Sequence, residues 1–231
     1  MFRMTDAFPD LHMEEVRRLI EACMSPGFFF VNIGANDGVH NDPVYPFIAQ
    51  YGWRGVAVEP DPDVFEELRR NYRQFSSVAV EHAAIAATPR LLYRIGNGPF
   101  ERAQWMSQFT AASPGRVREV IGLVRKYGLL GPVPSDLEDY VEPIDVPCLT
   151  FQQLVDRHEI ERIDYLNIDV EGDDLEVLEQ VDLDRFRNRL LCIEMDPERD
   201  SRAAEVEQRL QRLGYRAHKG LMLFSVFYLR E

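Results

Sequence analysis

The chain has 231 residues, 45 % of them hydrophobic and 28 % charged, the balance of a globular protein long enough to bury one full core. Its 26 basic and 39 acidic residues leave a formal net charge of −13. Such a field repels a phosphate backbone, which excludes nucleic acid as an expected partner.

No apolar run approaches a transmembrane span, and residues 1–10 lack the apolar stretch of a secretion signal. A cytoplasmic enzyme built as one domain over residues 1–231 is the expectation. Cys23, Cys148 and Cys192 stand far apart in apolar contexts, so they read as reduced thiols rather than a disulfide framework or a zinc site.

In chain order, Met13, Val16, Ile20 and Cys23 recur at helical spacing and mark an N-terminal helix within residues 1–25. Residues 28–33 form an apolar run that breaks at Gly34, passes through Ala35, Asn36 and Asp37, and ends its turn at Gly38. Pro43 and Pro46 allow only a short or broken helix over 42–51. A second apolar strand, 56–58, leads to Glu59, Pro60 and Asp61, and the spacing then predicts a helix over Pro62–Tyr72. This is the layout of a nucleotide-type cofactor site. Glycines admit close backbone approach, and an acid at the tip of the second strand accepts bonds from ribose hydroxyls. An acid inside the loop, Asp37, opposes a pyrophosphate and suits a ligand carrying ammonium and sulfonium charges instead. S-adenosylmethionine is such a ligand.

Further along, 78–80 reads as a third strand entering Glu81-His82-Ala83-Ala84, and 91–95 as an edge strand. Residues 96–147 carry six prolines and one helical stretch (Val117, Val120, Val124, Tyr127) and break the alternation. We read 97–147 as a lid insertion over the strand ends that holds the methyl acceptor; Arg116, Arg118, Arg125 and Lys126 give its helix a solvated face. Strands at 163–168 and 190–193 both end in acids, with a helix at 174–181 between them. Ala203, Val206, Leu210 and Leu213 mark a helix stopped by Gly214, and 221–229 closes the chain as a strand in a hairpin. The whole is an α/β fold with a mostly parallel sheet.

Asp169, Glu171 and Glu194 should gather at one strand edge with Asn32, Asn36 and Glu59. Converging carboxylates there bind a cation, orient a hydroxyl, or hold one raised pKa for base work. A divalent ion such as Mg²⁺ would take Asp169, Glu171 and Glu194 as its ligands; no metal is assigned. Asp173 and Asp174 at a helix start need no function beyond favourable placement at its N-terminus.

The runs Asn32-Ile-Gly-Ala-Asn-Asp-Gly38, Gly55-Val-Ala-Val-Glu-Pro-Asp61 and, above all, Ile163-Asp-Tyr-Leu-Asn-Ile-Asp-Val-Glu-Gly172 resemble the FkbM family of S-adenosylmethionine-dependent methyltransferases. That resemblance implies a Rossmann-like class I methyltransferase fold, a seven-stranded mostly parallel sheet with an antiparallel last strand. It implies O-methylation of a hydroxyl on a sugar, glycolipid or natural product. It also implies cofactor contacts from Asn32, Gly34, Asn36, Asp37, Gly38, Glu59, Pro60, His82, Ala83 and Asp169, with Asp169 as base or acceptor clamp and Glu171 and Glu194 in support. Asn32 stands where the family usually has an acid, and Asn167 where it commonly has a lysine. The rival readings are an NAD(P)-dependent oxidoreductase and an inactive methyltransferase-fold interaction domain.

Overall fold

The computed structural model describes residues 13–40, 42–98, 106, 109–127, 133–195, 201–221 and 225–230. Parts of the expected N-terminal helix, lid and last strand (1–12, 99–105, 107–108, 128–132, 222–224) lie outside the described residues.

Helix α1 (Met13–Cys23) turns Val16, Ile20 and Cys23 into the interior. Then follow β1 (Phe29–Ile33), α2 (Tyr45–Tyr51) and β2 (Arg54–Glu59). Helix α3 (Pro62–Tyr72) has the bounds the sequence predicts, because Asp61 caps it by accepting from Asp63 N–H (2.9 Å) and Pro62 fits its first turn. Strand β3 (Val78–His82) is followed by a short β4 (Ala84–Ile85).

Strand β5 (Leu91–Ile95) is not an edge of the main sheet. It pairs antiparallel with β6 (Val141–Asp145) in a separate ribbon. Tyr93, opposite Pro143, turns its N–H and C=O to Ala111 on its other side, so the proline sits where the ribbon needs no N–H. Between the two strands lies α4 (Pro114–Tyr127), which packs Val117, Val120, Ile121 and Val124 against Ile95, Ala111 and Leu137. The insertion therefore has an apolar core of its own. Strand β7 (Cys148–Leu149) runs beside β4.

Helix α5 (Phe151–Arg157) opens with a capping box of Thr150 and Gln153. It leads to β8 (Tyr165–Ile168), α6 (Asp174–Glu179), α7 (Leu183–Phe186), β9 (Leu190–Glu194), α8 (Ala203–Arg212), β10 (Tyr215–His218) and β11 (Ser225–Arg230).

The main sheet has seven strands in the order β3-β2-β1-β8-β9-β11-β10. Neighbours are parallel except β11, which runs antiparallel to both β9 and β10. Strand alternation sends Val31, Ile33, Val58, Leu166, Ile168 and Ile193 to a face covered by α5 to α8. Phe30, Ala57, Tyr165, Cys192 and Phe227 pack on the opposite face with α1 to α3. Both faces are covered, which is why these strands read as continuous apolar runs. Among the described residues no helix is long and apolar enough to cross a membrane.

Candidate functional site

The turn after β1 is held by its own protein neighbours. Gly34 has φ +82°, and a Cβ there would lie 1.7 Å from the Asp169 carbonyl oxygen; Gly38 has φ +73°, and its Cβ would lie 2.5 Å from Leu68 and Tyr72 side-chain atoms. Both glycines are demanded by packing as well as by conformation. The N–H groups of the turn are all engaged. Those of Gly34 and Ala35 donate to Val58 O, Asn36 N–H to Glu59 Oε2 (2.9 Å), Asp37 N–H to Asn36 Oδ1, Gly38 N–H to Ala35 O, and those of Val39 and His40 to Asp37 Oδ1. No N–H from Gly34 to His40 is left to cradle a phosphate.

What faces the cavity over the ends of β1, β2 and β8 is instead acidic. Asn32, Gly34, Asn36, Asp42, Glu59, Pro60, Ala83 to Ala86, Asn167, Asp169, Glu171 and Asp173 line it, with Phe109, Thr110 and Ala112 of the insertion as roof; the two basic side chains on the wall, His40 and Arg90, are already paired with Asp37 and with Asp173 and Glu176. Glu59 is almost fully buried and accepts from Asn36 N–H and Asp61 N–H. Burial pushes its carboxyl up to about 8; those two bonds oppose the rise, and the Asp61 and Asp37 charges add to it.

At the end of β8, Asp169 lines the cavity and is itself exposed. Crowding by the protein raises its carboxyl, with the Glu194 charge adding and Arg116 opposing. Glu171 adopts φ +58°, a left-handed conformation rare without glycine. The turn is held there by Asp174, whose two carboxylate oxygens accept from Val170 and Gly172 N–H, both at 3.0 Å. Arg116 of α4 reaches down to Glu171 Oε2 and Glu194 Oε1, each at 3.2 Å. Burial raises Glu171 well above the carboxylate range. These groups border a second cavity that adjoins the first and shares Ala112, Glu171 and Asp173 with it.

Oxygens of Asp169, Asp174 and Glu194 lie within 4.8 Å of one another. The donor set does not fit a hard divalent ion. Both Asp174 oxygens already take backbone N–H bonds, and a guanidinium holds Glu194 and Glu171.

Of the residues named from sequence, Asn32, Gly34, Asn36, Glu59, Pro60, Ala83, Asp169 and Glu171 come together on one cavity, and Glu194 borders its neighbour. Asp37, Gly38 and His82 do not line it. Asp37 turns inward to hold the loop and pairs with His40 Nδ1, Gly38 packs on α3, and the His82 ring stacks on Phe65 (4.9 Å) while its Nε2 donates to Pro60 O. Arg116 departs from the solvated face expected of α4, whereas Arg118 is exposed. Sequence reasoning missed Asp42, which looks like a turn acid in the primary structure, and gave Asp174 no role beyond its place at a helix N-terminus. Cys23 and Cys192 are buried thiols and Cys148 is half-buried.

A seven-stranded sheet of this order, closed by one antiparallel strand and carrying its cavity over β1, β2 and β8, defines a class I methyltransferase fold. The model of the methyltransferase FkbM domain matches residues 32–217, and the chain belongs to that family. Among solved structures it is similar to methyltransferase FkbM from Methylobacillus flagellatus KT (15 % identity, 88 % of this chain and 43 % of that one, TM-score 0.47). It is also similar to Aeropyrum pernix fibrillarin with natively bound S-adenosyl-L-methionine (12 %, 87 % and 65 %, TM-score 0.43). A third is the N-terminal domain of human METTL16 in complex with SAH (13 %, 95 % and 68 %, TM-score 0.44). The chain spans less than half the length of the Methylobacillus protein. No curated protein matches it.

Proposed function

We propose that this chain binds S-adenosylmethionine in the cavity over β1, β2 and β8 and transfers its methyl group to a hydroxyl of a sugar, glycolipid or natural product. The observation that carries the cofactor reading is the backbone N–H inventory of the loop: every backbone donor from Gly34 to His40 is engaged within the protein, while carboxylates face the cavity. A ligand with hydroxyls and positive charge fits that wall, and a pyrophosphate does not.

Glu59 would accept the ribose hydroxyls, and the small apolar wall of Ala83 to Ala86 would lie against the base. When bound, the cofactor supplies an electrophilic methyl carbon on sulfur. The protein's part is to align the acceptor oxygen in line with it and to take one proton. Asp169, raised yet open to the cavity, is the group for that proton; help of this kind contributes roughly 10²–10⁴-fold. Glu171, Glu194 and Arg116 border the adjoining cavity on the acceptor side beneath α4. The acceptor class rests on the family and on the hydroxyl-orienting acids.

Calorimetric titration with S-adenosylhomocysteine, NAD(H) and NADP(H) tests the reading without any acceptor. Micromolar binding of the homocysteine compound alone is expected. Binding of a nicotinamide alone would move the chain to the oxidoreductases, and binding of none would leave an inactive interaction domain.

A further inference from the structure

The floor of the cavity carries a neutral pair where its main-sheet strands meet. Asn32 and Asn167 are register partners on β1 and β8, and Asn167 Nδ2 donates to Asn32 Oδ1 at 2.8 Å. Asn32 therefore has its oxygen occupied, and its Nδ2 points to Asp42 Oδ2 at 3.3 Å. A cation arriving at the end of β1 finds no charge on Asn32 itself. It finds the carboxylate behind it.

Asp42 lines the same cavity. Its described partners are all neutral donors: Asn32 Nδ2, the Tyr72 hydroxyl at 2.9 Å on Oδ2, Val44 N–H at 2.6 Å on Oδ1, and the Tyr45 N–H. Among the described residues no salt bridge reaches it, and the nearby His40 is turned to Asp37. The other carboxylates of the cavity are differently placed. Glu59 braces the loop from the end of β2, Glu171 is tied to Arg116, and Asp173 is tied to Arg90; Asp169, which also has no salt bridge among the described residues, stands at the end of β8, away from Asn32 and Asp42 on the β1 side. An acid held in place by neutral donors, on a cavity wall and without a counter-charge, is built to receive a cation.

We propose that Asp42 receives the ammonium group of the cofactor's amino-acid end, taking over a charge that the end of β1 does not carry. The inference rests on the S-adenosylmethionine reading above and adds to it the residue that recognises the amino acid. Burial raises the Asp42 carboxyl to about 7, against the pull of its Val44 and Tyr72 bonds, so a cation at this position gives the charged form the partner it lacks.

The test is calorimetric titration of wild type, Asp42→Asn, Asp169→Asn and the double variant Asn32→Asp/Asp42→Asn. Each is titrated with S-adenosylhomocysteine and with 5′-methylthioadenosine, which keeps the nucleoside and lacks the amino-acid end. Asp42→Asn keeps an oxygen for Asn32 and Tyr72 and loses the charge. It should weaken S-adenosylhomocysteine by roughly 10- to 100-fold and leave methylthioadenosine within about twofold. The double variant returns a carboxylate to β1, where it can still accept from Asn167, and should recover part of the loss. It also serves if the single variant does not fold.

Unchanged S-adenosylhomocysteine affinity in Asp42→Asn would overturn the assignment, as would equal weakening of both ligands or a selective loss in Asp169→Asn alone. Wild-type protein that binds neither ligand would instead overturn the cofactor reading itself, and the Asp42 role with it.

Discussion

Glu59 is a carboxylate placed where its neutral form is favoured in the empty protein and its charged form is the useful one. With a folded-state value near 8 against an ordinary 4.5, the native protein holds a proton that the unfolded chain has released. This group's contribution to stability is therefore fully present below about pH 4.5 and is lost as pH rises toward 8. Ribose hydroxyls favour the ionised form, so affinity for S-adenosylhomocysteine should rise from pH 6 to 9 with release of a proton. Titrations in buffers of different ionisation enthalpy read that release directly, and a pH-independent affinity would detach Glu59 from the ligand. Glu59→Ala should weaken binding by about 1.5–3 kcal/mol. Asp169→Asn should keep that affinity and abolish turnover once an acceptor is in hand; full activity would end its role as proton acceptor. Asp174 acts on the backbone rather than on a ligand. Its replacement by Ala frees two N–H groups of a strained turn and should cost about 2 kcal/mol in urea denaturation, with Asn costing about half.

The loop between β1 and α2 makes a prediction at the level of the element, since its glycines answer to neighbouring chain. Gly34→Ala meets the Asp169 carbonyl and should cost about 3 kcal/mol or more, measured as a shift in the urea midpoint. Gly27 also has a positive φ, yet nothing lies within 4 Å of its Cβ position, so Gly27→Ala should cost about 1 kcal/mol. The same loop marks what was legible in sequence. Local signals placed α3 to the residue, because its cap, its proline and its apolar spacing all lie within the helix. The strand–turn–strand layout and the paired acids placed the cavity. Contacts between distant segments had no local signature. The β4–β7 ladder, the ribbon of β5 with β6, and the reach of Arg116 from α4 to Glu171 and Glu194 join residues far apart in the chain. Asn32 and Asn167 lie 135 residues apart in the chain and are read separately. Parallel register sets them side by side, joined by one hydrogen bond. Helices α5 and α7 were missed because seven and four residues give too little periodicity to stand out.

Across the whole molecule, the insertion carrying α4 has its own core, and among the described residues two arginines and Thr110 tie it to the main body. Arg94 of β5 holds Asp61 and Asp63 at the start of α3, and Arg116 holds Glu171 and Glu194. Replacing both by Ala should speed amide hydrogen exchange in α4 while leaving β1 and β8 protected; equal change in all three would show that the insertion and sheet open as one unit. The position of β11 bears on how the protein is made. It lies between β9 and β10, so the sheet cannot be finished until residues 225–230 have left the ribosome. Until then one side of β9 is an open template of unpaired amides, along the strand that ends in Glu194. A chain released short of residue 225 should pair that edge with its copies and precipitate. Synthesis rate over the codons that lead to β11 thus becomes a determinant of yield, and slowing it lengthens the time for which the nascent protein is most exposed to its neighbours.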